Sequence, residues 1–259
     1  MAAEPGAVQF SIGRVIGDSF GVLARNIVSF GILALLIGLI DLLFSLFYFD
    51  PALLAATLSG PSQIDPTMLQ PNWTAIGVGA LVTMIVSSLT QAAIIYGTFQ
   101  DLRGQKASIG DCVARGLASV IPVIVGSILL SLGVSIGLAL LIVPGIILIL
   151  MWWVYIPAIV VDRKGIIEAF GRSRELTRGR RWHILSLAII ILIIYMAVGF
   201  IVETVSGIVA SGGTAYTIIQ YVFISLVTAF SAVLVAVSYY YLRAEKEGVD
   251  VNEIARIFD

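Results

Sequence analysis

Three polar side chains interrupt long apolar runs of the sequence: Asp41, Gln91 and Gln220. A carboxylate near the middle of a bilayer costs roughly 2.5–3.5 kcal/mol on insertion scales, so it is either neutralised or put to use. Asp41 can bind a proton or a cation there. Its bland alternatives are to reach the outer interface or to stay protonated against a neighbouring helix. The amides of Gln91 and Gln220 can line a polar path, although neutral amides more often join two helices.

The densest charge lies in GRSRELTRGRRWHIL, residues 171–185, which carries Arg172, Arg174, Arg178, Arg180 and Arg181 ahead of Trp182. Each base close to an anionic lipid surface contributes about 1 kcal/mol of attraction. Tryptophan favours the headgroup level. A lipid or phosphate headgroup is therefore the ligand these residues would take. Their simpler reading is that they keep a loop on the cytoplasmic side. His183 and Cys112 are the only residues of their kinds, which excludes an internal disulfide and a multi-histidine site. The sequence holds no Walker loop, G-x-S-x-G or H-E-x-x-H. We expect no enzyme, no catalytic residue, no metal site and no cofactor.

The chain that carries these residues is oily. Of its 259 residues 59% are apolar and 12% charged, with mean hydropathy +1.04, against about 25% charged in soluble domains. The net charge of −1 gives no reason to expect nucleic acid. The partner it does imply is the lipid bilayer. Hydropathy predicts six spans, near Ile27–Phe49, Trp73–Phe99, Leu117–Val143, Gly145–Val161, His183–Val202 and Thr217–Leu242. The first run is too long for the apolar core of a signal peptide, so no cleaved leader is expected.

Residues 117–161 carry no charge, and as one helix they would be about 67 Å long, twice the hydrocarbon thickness. Pro144 and Gly145 break this run near its middle and are expected to form a hairpin turn. Pro157 should kink the fourth span. With six spans, all 15 lysines and arginines fall on one side. The opposite loops, 50–72 and 203–216, hold Asp50, Asp65 and Glu203 and no base. The positive-inside rule then puts both termini in the cytoplasm of a cell with this protein in its inner membrane.

A repeat is legible as well. SIGRVIGDSFGVLARNIVSF (11–30) and SIGDCVARGLASVIPVIVGS (108–127) open alike, and residues 165–184 have the same shape. Each has an amphipathic helical period. Ile12, Val15, Ile16, Ser19, Phe20 and Leu23 share one face of the first; Asp111 and Arg115 are spaced to pair in the second; Gly179 is placed to end the third. Asp250 and Glu253 have the spacing of a capping box in the tail. The fold class expected is an all-α membrane protein of six transmembrane helices. They form three hairpins, each led by an interfacial amphipathic helix, over 9–99, 107–161 and 165–242, with a cytoplasmic tail at 243–259. Small residues mark close helix contacts in lipid. The stripe Ser127, Ser131, Ser135 and Ala139 predicts a central third span, and Gly13, Gly17 and Gly21 a helix crossing.

VPGIILILMWWVYIPAIVVD (143–162), EAFGRSRELTRGRRWHIL (168–185) and YYYLRAEKEGVD (239–250) resemble the membrane domain associated with some glycerophosphoryl diester phosphodiesterases. The resemblance rests on Pro144, Gly145, Trp152 and Trp153, then Ser173, Leu176, Thr177, Gly179 and Trp182, then Tyr240 or Tyr241 with Arg243, Glu247 and Gly248. It implies six spans in a bacterial inner-membrane protein. It implies no activity for this segment, because the phosphodiesterase chemistry of that family belongs to a separate domain. Two functions are thus open. One is a non-enzymatic scaffold or assembly factor that engages anionic lipid through a basic cytoplasmic face. The other is a transporter or channel for a small or lipid-like substrate, motivated by Asp41, Gln91, Gln220 and the broken helices.

Overall fold

The computed structural model describes residues 10–35, 39, 73–106, 108–210 and 214–247. Asp41, the 50–72 loop and the capping-box residues Asp250 and Glu253 lie outside them. The described residues are helical without a strand. We label the helices α1 (Ile12–Arg25), α2 (Ile27–Leu35), α3 (Trp73–Leu102), α4 (Ile109–Leu140) and α5 (Ile142–Met151). They continue as α6 (Tyr155–Val160), α7 (Ile166–Thr177), α8 (Arg181–Ala210) and α9 (Thr214–Glu247). Five stretches are long and apolar enough to cross a membrane, with α5 and α6 forming one of them. The count is six if α1 and α2, bent by 80° at Asn26, make one span. The protein is a multi-pass membrane protein.

The last helix is the hub. α9 packs against α1, α3, α6, α7 and α8, and nearly every residue from Ala229 to Leu242 is buried. Ala229, Ala232, Ala236 and Ser238 are small enough to let neighbouring backbones approach from several directions. This corrects the expectation that the third span is central. In α4, Ser131, Ser135 and Ala139 are exposed, and the opposite edge makes the contacts. Along that edge, a methyl group added at Gly116 would meet Leu89, one at Gly126 Tyr155, one at Gly133 Trp152 and one at Gly137 the backbone of Gly145. Glycine wins over serine because the neighbours here are aromatic rings and main chain. The outward face of α4 (Leu117, Ile121, Val125, Ile128, Leu132 and Ile136) is apolar and exposed. Such a face is stable against lipid but not against water.

Two further expectations are corrected here. The Ser-Ile-Gly segment at 108 is not a separate interfacial helix: α4 runs unbroken from Ile109 to Leu140, with Pro122 inside it. Gly13 and Gly17 of α1 face open space, not a crossing helix; α1 packs through Val15, Ser19 and Val22 instead.

The turn between α4 and α5 also differs from expectation. Pro144 and Gly145 are helical, and the single extended residue is Leu141 (φ −163°, ψ 148°). Pro144 is still the cause. Its ring excludes the carbonyl of residue 140 from a continuing helix, and its missing N–H costs nothing in the first turn of a new one. The break therefore falls three residues before the proline. Gly145 supplies close packing: a methyl group there would sit 2.4 Å from Leu138 Cδ2 and 2.9 Å from the Leu138 nitrogen.

Pro157 occupies the first turn of α6, and the interruption in its span falls just before it, at residues 152–154. Two side chains of α7 satisfy the freed backbone. Ser173 Oγ accepts from the Val154 N–H (3.2 Å) and donates to the Met151 carbonyl (3.0 Å); Thr177 Oγ1 reaches the same carbonyl at 3.2 Å. A broken helix at membrane depth needs such substitutes, since lipid offers none. α7 then closes through Gly179 (φ 86°), a left-handed position that glycine adopts without strain.

Candidate functional site

The charged side chains of the helix ends meet at one end of the bundle. The C-terminal ends of α3, α6 and α9, the N-terminal ends of α4 and α8, and the whole of α7 converge there. Arg243 on α9 donates from Nη1 to Asp162 Oδ1 at 2.9 Å and from Nε to Glu247 Oε2 at 2.7 Å. Arg172 on α7 bonds to Glu247 and lies 3.5 Å from Asp162. The Tyr239 hydroxyl donates to Asp162. Two arginines and two carboxylates thus form a closed square that ties α7, α9 and the 161–165 loop together. Burial alone would lower the Arg172 pKa, but its bond to Glu247 reverses the sign and holds the guanidinium more firmly charged than usual.

Other contacts extend the square. Arg180 Nε donates to Glu245 Oε1 at 2.7 Å, and the other Glu245 oxygen accepts from the Phe10 N–H at 3.0 Å. Tyr241 donates to Asp18 of α1. Arg25 and the Asn26 amide both donate to Asp101, at 2.6 and 2.7 Å, where α1 bends into α2. The hydrogen bond to Asp101 raises the Arg25 pKa. Asp111 does not pair with Arg115 as its spacing allowed. It accepts from Ser108 Oγ at 2.6 Å, while the Ser108 hydroxyl caps the Asp111 N–H of α4 at 3.0 Å. Arg115 turns instead to the end of α6, donating to the Val160 carbonyl from Nε (3.0 Å) and Nη2 (2.6 Å). Helix C-terminal carbonyls lack intrahelical donors, so they attract such a cation.

A cavity of about 1030 Å³ opens at this end. Its bases are Arg103, Arg115, Arg163, Lys164, Arg172 and Arg243; its acids are Asp162, Glu168 and Glu175. Tyr96, Phe99 and Val161 are among its apolar lining. Arg163 takes a left-handed backbone (φ 54°), the one non-glycine residue to do so among the described residues. It sits where the chain leaves α6, and the Lys164 N–H returns to the Ala158 carbonyl at 3.3 Å. Helix ends of this kind usually use glycine, and another residue is strained by about 1 kcal/mol.

The arginine run expected to act as one group is divided. Arg172 is in the square and Arg180 is paired; Arg181 is half-buried. Only Arg174, Arg178 and Trp182 stand exposed, with Trp182 at 80%. Gln91 and Gln220, for which a polar path was one of two readings, are apart. Gln220 donates to Glu203 and lies about 40 Å along α9 from Glu247, whereas Gln91 lies about 16 Å along α3 from Leu102. Neither lines the cavity. Asp41 lies outside the described residues. Among those residues no three histidine, cysteine or acidic side chains converge as metal ligands.

Asp162 and Arg103 were not singled out from sequence, and Arg243, Glu247 and Arg115 stood out there only as parts of a motif or a helical pair, not as site residues. Arg243 and Glu247 had one legible signal, opposite charges at i and i+4 at the end of a span. The partners of Arg115 and Asp162 are 45 and 81 residues away and left no local trace.

Comparison with curated proteins and with solved structures found no match. A family model, Domain of unknown function (DUF7847), matches residues 107–244, more than half of the chain. The matched segment runs from the start of α4 almost to the end of α9. It holds Arg115, Asp162, Arg172, Ser173, Thr177 and Arg243, and so most of the square and the cavity wall. The chain belongs to the DUF7847 family.

Proposed function

We propose that this protein is a non-enzymatic scaffold or assembly factor of the bacterial inner membrane, which engages anionic lipid headgroups through its charged end. In this reading both termini and the charged end are cytoplasmic. The spans form three hairpins, with α1 and α7 lying along the membrane surface. The resemblance to the membrane domain associated with glycerophosphoryl diester phosphodiesterases belongs to the same proposal.

The observation that carries it is the division of labour at the charged end. Carboxylates there lock Arg172, Arg180 and Arg243 into the fold, while Arg174, Arg178 and Trp182, within nine residues of one another in the chain, are left exposed. Paired acids serve as struts and are poorly placed for acid–base work, whereas exposed arginines and an exposed tryptophan on one connecting segment suit a headgroup surface.

The test is quenching of Trp182 by brominated lipids, in a variant with the other tryptophans replaced by phenylalanine. Anionic brominated lipid should quench more than zwitterionic at equal mole fraction. Arg174→Gln with Arg178→Gln should lower the preference roughly tenfold or more, at about 1 kcal/mol per base. Equal quenching by both lipids would contradict the proposal.

A further inference from the structure

The cavity between α3, α4, the 162–164 segment and α7 is distinct from the exposed arginines just discussed. We propose that it binds a phosphate ester, with Arg103, Arg115, Arg163 and Lys164 as its cationic ligands.

Charge is the first argument. Six bases and three acids line the cavity, and Glu247 pairs with two of those bases from outside the lining. Arg115, Arg163 and Lys164 are three of those six bases. Among the described residues no carboxylate lies within ion-pair distance of Arg115, Arg163 or Lys164. A phosphate monoester carries about −1.5 to −2 charges near neutrality, which such a group of cations attracts. Burial, and then the proximity of Arg243, depress the Arg103 pKa; an anion in the cavity would relieve the second effect.

Preorganisation is the second argument. The Arg115 guanidinium is held by two bonds to one carbonyl, which leaves about three of its five N–H donors for a ligand. Arg163 keeps a left-handed backbone where glycine would be unstrained. Such strain persists where something other than stability selects the side chain. Here the side chain kept is a cation on the cavity wall.

The apolar part of the lining favours an ester over bare phosphate. Tyr96, Phe99, Val160 and Val161 line the same cavity, and the Tyr96 hydroxyl accepts from Gln100 Nε2 at 3.0 Å. The volume of about 1030 Å³ is at the upper end of small-molecule sites, roughly 300–1,000 Å³. It has room for an organic group beside the phosphate.

The test uses the full chain in a neutral maltoside detergent, titrated with phenyl phosphate, inorganic phosphate, and dihexanoyl phosphatidic acid below its micellar concentration. Dihexanoyl phosphatidylcholine is the zwitterionic control. Saturable binding of phenyl phosphate supports a soluble ester as ligand. Binding of phosphatidic acid alone supports a lipid headgroup. Arg163→Gly is the most informative variant. It should raise the thermal midpoint by removing the strain, yet weaken binding about fivefold by removing a cation. Lys164→Gln, at an exposed position, should weaken binding similarly without loss of fold. Arg115→Gln should weaken it about tenfold or more. Arg174→Gln with Arg178→Gln should leave this binding unchanged, which separates the site from the exposed surface. No saturable binding of any phosphate probe overturns the proposal. So does binding as tight for the phosphatidylcholine control, binding that survives both Arg163→Gly and Lys164→Gln, or binding lost with Arg174 and Arg178.

Discussion

Arg243 serves two carboxylates at once, and its removal should be felt through both. Arg243→Gln leaves Asp162 and Glu247 sharing Arg172 alone, in a site where all the side chains are at most 28% exposed. Charge-assisted bonds contribute about 1.5–3 kcal/mol, and a buried charge left without its partner costs more. We expect a loss of about 3 kcal/mol, read as a lower midpoint of thermal unfolding in detergent. Glu175→Gln should change the midpoint little, because Glu175 is 73% exposed and 3.8 Å from Arg172. Ser173→Ala is predicted to cost about 1–3 kcal/mol, since it strips the Val154 N–H of its acceptor. Thr177→Ala should cost less, because Ser173 still donates to the Met151 carbonyl. Midpoints for the two variants in that order would support the role given to α7 as the splint of the broken span. Ser173 and Thr177 stood out in the sequence as parts of a pattern. Their role was not legible, because the atoms they serve are 19 to 26 residues upstream.

The elements divide into those that periodicity reveals and those that contact decides. Long apolar runs located α3 and α9 to within about five residues, since hydropathy is a property of the run itself, whereas α8 continues eight residues past the expected end at Val202. The turn between α4 and α5 was misplaced by three residues for a physical reason: proline acts on the carbonyl four residues before it, so the damage precedes the residue that causes it. Likewise a stripe of small residues announces a close contact without saying which edge is used. Serine and glycine stripes lie side by side on α4, and only glycine admits a tryptophan ring or another backbone. This yields a comparison. Gly137→Ala should destabilise by about 1–3 kcal/mol, because its methyl group would lie 3.0 Å from Gly145 Cα. Gly17→Ala, in open space on α1, should stabilise by up to about 1 kcal/mol through helix propensity. Thermal midpoints that moved the same way in both would contradict the packing assigned to α4 and α5.

At the scale of the whole molecule charge is segregated. One end of the bundle gathers the described bases with the acids that hold them, and the lateral faces are apolar. This much was legible in the sequence, because fifteen bases falling on one side of a six-span plan is a property of order along the chain. The cavity was not, since its walls come from α3, α4, the end of α6, α7, α9 and one loop that meet only after folding. The central claim is that this charged end faces the cytoplasm. Its most direct test is labelling by an impermeant maleimide in right-side-out membrane vesicles, on a chain with Cys112→Ser, the sole native cysteine, removed. Ser62→Cys and Ser211→Cys should label in intact vesicles, and Lys106→Cys only after permeabilisation. Lys106→Cys labelled in intact vesicles, with Ser62→Cys and Ser211→Cys protected, would contradict the orientation and the function drawn from it.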